Sequence, residues 1–379
     1  MEGRESTSHS KRTGPGDAPQ IAVVIPCFKV ARHVMDVLAR VGPECSHIYV
    51  VDDACPERSG DIVEAQCSDP RVRVIRHSEN RGVGAAVMTG YRAAIADGAA
   101  VIVKIDGDGQ MAPERLPDFI APIIAAQADY TKGNRFYDLA NIGRMPPARA
   151  IGNAALSFMA KLSCGYWDVF DPTNGYTAIH ANVARQLPLD RISARYFFET
   201  DMLFRLSTIR AVVIDIPMDA HYADESSSLR VSRVFGEFLY KHARNTLKRI
   251  FYNYFLRDFT IASLELVVGL VLFAFGATYG VIHWIASARE GVETAPGTVM
   301  LAALPVLMGM QLLLAFIGFD VAAMPKRAIH PLLDRRGRVD APSAGPARSP
   351  ALAGDAERPL SEDERDGIRR QQREEWQER

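Results

Sequence analysis

Apolar and polar positions change period several times along this chain, and each change marks an element. Ile21-Ala-Val-Val-Ile-Pro26 is a short continuous apolar run closed by proline, the pattern of a buried strand. Val34 to Val41 has helical apolar spacing, His47 to Asp52 predicts a second strand and Arg71 to Ile75 a third. Val83 to Ala96 then predicts a helix, and Val101 to Ile105 a fourth strand. Strands separated by helical segments of this length imply a parallel sheet with right-handed crossovers. The first 135 residues therefore read as a three-layer α/β core of the nucleotide-binding kind. Past Met145-Pro-Pro an apolar, helix-like segment runs from Ala148 to Leu162, and Asp171-Pro-Thr-Asn-Gly175 is a turn-rich loop. Tyr196 to Arg205 predicts a helix with its apolar side to the core and its acids as candidates for a cleft, and Ala211 to Pro217 predicts one further strand.

The pattern changes again at Val231. From there to Asp258, Phe235, Phe238, Leu239, Leu247, Ile250 and Phe251 interleave with Lys241, Arg244, Lys248 and Arg249, as in a helix lying in an anionic membrane interface. Leu266 to Ala288 and Ala295 to Phe319 carry no Asp, Glu, Lys or Arg, and each is long enough to cross a hydrocarbon layer of ~30 Å. Two transmembrane helices are expected, with Glu265 at the entrance of the first. The loop around Arg289 to Thr294 is net acidic, whereas Lys241 to Arg257 and Lys326 to Arg338 are basic, so both ends of the pair are expected in the cytoplasm. The expected organisation is a disordered leader (1–19), a catalytic domain (20–230), an amphipathic juxtamembrane helix (231–258), a transmembrane pair (260–325) and a disordered cytoplasmic tail (333–379).

Composition adds constraints. At 379 residues, 48% hydrophobic and 23% charged, the chain is long enough for one large or two modest cores. A net charge of -1 argues against a generic nucleic-acid binder. Five cysteines without a Cys-x-x-Cys pair or a zinc-finger His partner indicate free thiols in a reducing compartment. The polar leader has no apolar h-region, so no cleavable signal peptide is expected.

The candidate chemistry sits where the fourth strand ends, at Asp106-Gly-Asp108-Gly-Gln110. Two carboxylates and an amide oxygen at alternate positions form a hard, incomplete ligand set, suited to a magnesium-like ion that keeps places for water and phosphate. The bland alternative is an Asp-Gly turn. Asn80-Arg-Gly82-Val-Gly84 offers a glycine-rich helix entry whose backbone N–H groups attract anions. It is not a dinucleotide fingerprint, because it follows the third strand and lacks the full glycine spacing. A Gly-Lys-Ser/Thr phosphate loop, a Gly-x-Ser-x-Gly elbow and a His-Glu-x-x-His helix are absent from the sequence.

In this order, Val24-Ile-Pro26, Val50-Val-Asp52-Asp53, Asn80-Arg-Gly82-Val-Gly84 and Asp106-Gly-Asp108-Gly-Gln110 resemble the family 2 glycosyltransferases. The likeness extends to the polyprenyl-phosphate glycosyltransferases of the dolichol-phosphate-mannose synthase group, over roughly residues 20 to 325. It implies a GT-A fold, a Rossmann-like mixed sheet, followed by the interfacial and transmembrane helices. It also implies that Pro26, Phe28, Asp52, Asp53, Gly82 and Asp106 hold a nucleotide-diphosphate sugar, and that Asp106, Asp108 and Gln110 hold Mg²⁺ or Mn²⁺. Arg135, in Gly133-Asn134-Arg135, falls near the phosphates, and Asp171 heads the acceptor-side loop. Phe28-Lys29-Val30 stands where the family usually shows Tyr-Asn-Glu, which opens the choice between UDP and GDP.

Charge then suggests the mechanism. A metal-bound diphosphate leaving group must be neutralised as the anomeric bond breaks, a task for the ion and Arg135. A lipid-phosphate acceptor needs no general base and would be held by Arg135, Arg144 and Arg149. A sugar-hydroxyl acceptor needs a carboxylate, from Asp171, Glu199 or Asp201. The expected reaction is inverting transfer to a polyprenyl phosphate at the cytoplasmic face, with membrane lipids as partners, no nucleic acid, and a homo-oligomer left open. The alternatives are transfer to a lipid-linked saccharide in cell-envelope polysaccharide synthesis and a catalytically silent, membrane-anchored nucleotide-sugar binder. His221 to Ser228 is read as a loop over the cleft.

Overall fold

The computed structural model describes residues 19–137, 147–218 and 231–333, the side chains of 147–150 and 231–235 excepted. The greater part of the leader, the tail from 334 onward, Arg144 and the His221–Ser228 loop lie outside the described residues. Seven strands, β1 (Ile21–Cys27), β2 (His47–Asp52), β3 (Val72–Arg76), β4 (Val101–Lys104), β5 (Tyr130–Asn134), β6 (Thr177–His180) and β7 (Val213–Pro217), form one sheet in the order β3-β2-β1-β4-β6-β5-β7. Strands β3, β2, β1 and β4 are parallel, as their spacing requires. β6 is antiparallel to both β4 and β5, and β7 is parallel to β5. The sheet is therefore mixed, as the GT-A resemblance implies, and not parallel throughout as the strand–helix alternation alone suggests. The turn at Asp171–Gly175 reverses the chain and inserts β6 between β4 and β5.

Every residue of β1 and β4 is buried, which explains their unbroken apolar runs. Alternate side chains feed two cores. Val24, Tyr49 and Ile102 pack with Met88 and Tyr91 of the helix Val83–Ala96. Val23, Ile25, Val50 and Val103 pack with Val37 and Phe119 from the opposite layer. The helices, in chain order, are α1 (Val34–Ala39), α2 (Ser59–Gln66), α3 (Val83–Ala96), α4 (Leu116–Ile124), α5 (Pro147–Cys164), α6 (Ala181–Gln186), α7 (Phe198–Thr208), α8 (Val231–Phe251), α9 (Ile261–Glu290) and α10 (Pro296–Ala322).

Helices α9 and α10, of 30 and 27 residues, have windows of mean hydropathy 2.1 and 2.2, yet only 22% and 11% of those windows is buried. A soluble core helix hides its apolar surface; here Val271, Trp284, Leu307 and Leu314 point outward. Such surface belongs in lipid, and each helix is long enough to cross it. Small residues join the pair: a Cβ at Gly309 would overlap the backbone of Phe273, and one at Gly276 the backbone of Ala302.

The junction with the domain departs from the expected interfacial helix. Leu239, Leu247 and Phe251 of α8 are exposed, but Arg249 faces inward, 3% exposed. Its guanidinium grips Asp320 near the end of α10 through bonds of 2.6 and 3.0 Å, and its Nε donates to Leu162 O at 3.1 Å. Tyr254 and Trp167 donate to the same carboxylate, at 2.5 and 2.8 Å. A buried guanidinium requires such a partner, which is why this arginine is not at the lipid surface. Further on, the buried Asp129 accepts from the backbone N–H groups of Val212, Ile329 and His330 and pairs with the His330 ring at 2.9 Å. The chain beyond the second apolar helix is thus fastened to the sheet domain.

Asp320→Ala leaves Arg249 buried without a counter-charge, and a loss of about 3–5 kcal/mol is expected, read as a lower melting temperature in detergent. The double change Arg249→Met with Asp320→Leu should recover most of it; a double variant as unstable as the single one would refute this account of the junction.

Candidate active site

The carboxyl end of β4 delivers Lys104 and then the Asp106–Gln110 turn. Gly109 takes φ +76°, a left-handed conformation suited to glycine, and Gln110 N–H donates to Asp108 Oδ1 at 3.0 Å. Asp106 Oδ1 lies 2.6 Å from the buried Lys104 Nζ, and Glu199 Oε1, from the first turn of α7, lies 4.0 Å from the same ammonium. Strand register extends this row: Lys104 pairs with Thr177, Thr177 with Lys132, and Lys132 with Asp215. Lys132 is fully buried and its Nζ donates to Asn174 O.

These neighbours shift one another. Burial pushes the Glu199 carboxyl up to about 7, while Lys104 and Lys132 pull it down. Burial brings the Lys132 ammonium down to about 8 against the opposing carboxylates Asp171, Glu199 and Asp215. Asp215 is likewise pushed up by burial, to about 6. Arg135, at the end of β5, is one-third exposed and makes a bidentate pair with the fully buried Asp171, Nε to Oδ2 at 2.8 Å and Nη2 to Oδ1 at 3.1 Å. Burial alone would raise Asp171, but the bonds from Arg135 outweigh it and hold the carboxyl below its ordinary range.

The structure thus brings Asp106, Asp108, Gln110 and Glu199 to one end of the sheet, with Arg135 and Asp171 on the neighbouring strand end and loop. It gives other predicted residues different work. Asp201 Oδ2 accepts from Ser193 N–H at 2.8 Å and from Arg205, and its Oδ1 accepts from Asn245 of α8. This carboxylate ties α7 to α8, and both its oxygens are engaged within the fold. Asp171, similarly, is committed to orienting Arg135. Asp52 accepts from the N–H groups of Cys55 and Gly60, both at 2.7 Å. Asp53 accepts from Arg81 and Gly82 N–H and from the His77 ring. Both shape loops with the oxygens expected to face a nucleotide.

The glycine-rich entry to α3 is corrected too. Gly82 N–H goes to Asp53, and those of Gly84 and Ala85 go to Ala194 O at 2.8 and 3.3 Å, so they do not form a phosphate cradle. Gly82, at φ +96°, and Gly84 are glycines because the backbone of Ser193 and Ala194 lies where a Cβ would stand. Pro26 is buried within β1, whereas the Phe28 ring just beyond it is 41% exposed. Arg149 lies on α5, and its side chain is outside the described residues, as is Arg144. Sequence reasoning missed Lys104, Lys132 and Asp215; the one signal was a lysine inside the apolar run Val-Ile-Val-Lys-Ile.

The donor set fits a hard divalent cation. Two carboxylates and an amide oxygen lie on one partly exposed turn, and Asp106 Oδ2 reaches into a space that a Cβ at Gly175 would fill. Mg²⁺ or Mn²⁺ would be held by Asp108, Gln110 and the second oxygen of Asp106.

Comparison with known proteins gives the same family. Residues 22–187 match Glycosyl transferase family 2. Over 223 residues the chain is 29% identical to undecaprenyl-phosphate mannosyltransferase of Micrococcus luteus, covering 58% of this chain and 90% of the relative. It is 27% identical to polyprenol monophosphomannose synthase of Mycolicibacterium smegmatis, covering 56% and 84%. Among solved structures, glucosyl-3-phosphoglycerate synthase from Mycobacterium tuberculosis, in complex with Mn²⁺, UDP and phosphoglyceric acid, aligns with a TM-score of 0.47 at 16% identity, covering 61% of this chain and 78% of that one. The family match over residues 22–187 and the two mannosyl-transferring relatives agree: the chain carries a family 2 glycosyltransferase domain and is a glycosyltransferase.

Proposed function

We propose that this glycosyltransferase is metal-dependent and inverting, and moves a sugar from a nucleotide diphosphate onto a polyprenyl phosphate at the cytoplasmic membrane face. The observation that carries the acceptor is the commitment of two of the three candidate bases, Asp171 to Arg135 and Asp201 to Ser193, Arg205 and Asn245. A phosphate oxygen is already an anionic nucleophile, so its acceptor reaction needs no base. It attacks the anomeric carbon, the bond from that carbon to the diphosphate oxygen breaks on the opposite side, and the nucleoside diphosphate leaves with the electron pair. A divalent ion at the Asp106–Gln110 turn would neutralise that leaving group. Arg135, fixed by Asp171, presents a rigid guanidinium to phosphate oxygens. Phe28 offers an exposed ring to a nucleobase.

Access from the membrane supports the same reading. Ile151, Ala154, Ala155 and Phe158 recur at helical spacing on the exposed side of α5. The end of that helix meets Arg249, whose partner Asp320 lies near the end of α10. An apolar face beside a transmembrane hairpin suits a lipid-borne substrate. Arg149, on the same helix, is a holder of its phosphate, with Arg144. The cytoplasmic side follows from the basic flanks, and Ile329 and His330, bonded to Asp129, keep the exit of the second helix beside the domain.

Glu199, raised to about 7, favours a second reading, a sugar-hydroxyl acceptor with Glu199 as the base. Membranes given labelled nucleotide sugars and bare polyprenyl phosphate decide between them. Product on the bare lipid is expected, with modest loss in Glu199→Gln and severe loss in Arg135→Ala. Product on a lipid-linked glycan alone, with Glu199→Gln losing a factor of about 10² or more, would establish the second reading.

Glu199 also sets a pH dependence. Its folded value lies above the ordinary 4.5, so its stabilising contribution is complete below that value and is lost as pH rises through about 7. Between pH 5 and 8 the wild-type melting temperature should fall relative to Glu199→Gln by roughly 5 °C; parallel curves would remove Glu199 from the buried cluster. For orientation, a cysteine at Val292 should react with an impermeant reagent outside the cell and one at Ala341 should not, and the reverse labelling would invert the topology.

A further inference from the structure

Lys104 is out of place by ordinary rules. It ends a central strand, its side chain is 1% exposed, and it stands two residues before a turn suited to a dication. Its Nζ lies 2.6 Å from Asp106 Oδ1, 4.0 Å from Glu199 Oε1 and 5.3 Å from the centre of the Phe198 ring. The ammonium is also roofed. A Cβ at Gly175 would overlap both Lys104 Nζ and Asp106 Oδ2, so the backbone of the Asp171–Gly175 loop rests directly on the pair. That loop is itself held from below, because Lys132 donates to Asn174 O. A buried ammonium is tolerated only when a carboxylate answers it, so Asp106 is engaged before any ligand arrives.

We infer that Lys104 is a positioning residue, a resident counter-charge that holds Asp106 in place and keeps the cleft from binding a divalent ion tightly until a nucleotide diphosphate brings further oxygens. The inference rests on reading Asp106–Gln110 as the metal turn. One Asp106 oxygen is engaged by Lys104, and Asp108 Oδ1 accepts the Gln110 N–H, so the turn by itself offers few anionic oxygens. Ions of the magnesium class are commonly held by one or two carboxylates with phosphate oxygens completing the shell. A fixed ammonium beside the site repels a dication, the more strongly where water is scarce. Diphosphate oxygens overcome that repulsion, so the ion and the nucleotide bind together. Glu199 lies on the far side of the same ammonium and is held by it less closely.

The test is a Mn²⁺ titration of the full-length protein in detergent, with free ion read by electron paramagnetic resonance, alone and with UDP or GDP. Wild type should bind Mn²⁺ at least tenfold more tightly with the nucleotide it recognises. Lys104→Met should bind Mn²⁺ alone at least tenfold more tightly than wild type, a gain that mere loss of structure does not produce. Adding Asp106→Asn to Lys104→Met should abolish that gain. A folded Lys104→Met with no gain, or a gain that survives in the double variant, overturns the inference. Should Lys104→Met fail to fold, Lys104→Gln replaces it, removing the charge while keeping a hydrogen-bond donor for Asp106: a gain of tenfold or more in nucleotide-free affinity supports the inference, and any smaller gain overturns it. If wild type binds no Mn²⁺ with either nucleotide, the metal-turn reading falls, and this inference with it.

Discussion

Charges withdrawn from water must be answered by opposite charges, and this requirement organises both ends of the molecule. At the strand ends, Lys104 and Lys132 stand in one row of the sheet, with Asp106, Asp171, Glu199 and Asp215 around them. At the junction with the hairpin, Arg249 is enclosed with Asp320, which also takes bonds from Tyr254 and Trp167. Pairs of this kind add little net stability over well-packed apolar groups, but breaking one is costly. They fix geometry, and in a transferase the geometry of interest is the relation between donor turn, acceptor loop and membrane.

The two charge clusters are joined by short stretches of chain. Arg135 follows β5 directly and is gripped by Asp171; the loop that Asp171 begins ends at Gly175, on top of Lys104 and Asp106. A few residues before Asp171, Trp167 donates to Asp320 of the second apolar helix. The segment 167–175 therefore runs from a hydrogen bond with the second apolar helix to a close backbone contact on Lys104 and Asp106. Asp201 makes a second connection, from α7 to Asn245 of α8.

Legibility in the sequence followed how directly each feature is written in local pattern. β1, β2 and the helix Val83–Ala96 were readable from their long buried apolar runs and faces, β4 from the apolar run that Lys104 alone breaks, and β3 from the alternation of valine and arginine. β5, Tyr-Thr-Lys-Gly-Asn, and β6, Thr-Ala-Ile-His, were not, because their burial depends on distant charged partners and no apolar run announces it. The Asp106–Gln110 turn was marked by the spacing of its acids, but a plain Asp-Gly turn has the same letters, and only the flanking motifs separated the two. The duties of Asp52, Asp53, Gly82 and Asp201 were hidden, since a carboxylate satisfied by backbone N–H groups and one facing a ligand are the same letter. Arg249 was read as a lipid-facing cation for a similar reason: its partner Asp320 lies 71 positions away.

The strap formed by Ile329 and His330 has a consequence for synthesis. Asp129 is fully buried and takes several of its hydrogen bonds from residues about 200 positions later in the chain. Translation completes the sheet domain up to β7 long before those donors emerge, and both apolar helices lie in between. Until then Asp129 has the Val212 N–H but neither Ile329 nor His330. The sheet domain therefore does not complete its own core: the carboxylate buried at Asp129 is fully answered only by residues that follow both apolar helices, so domain and hairpin close as one compact unit.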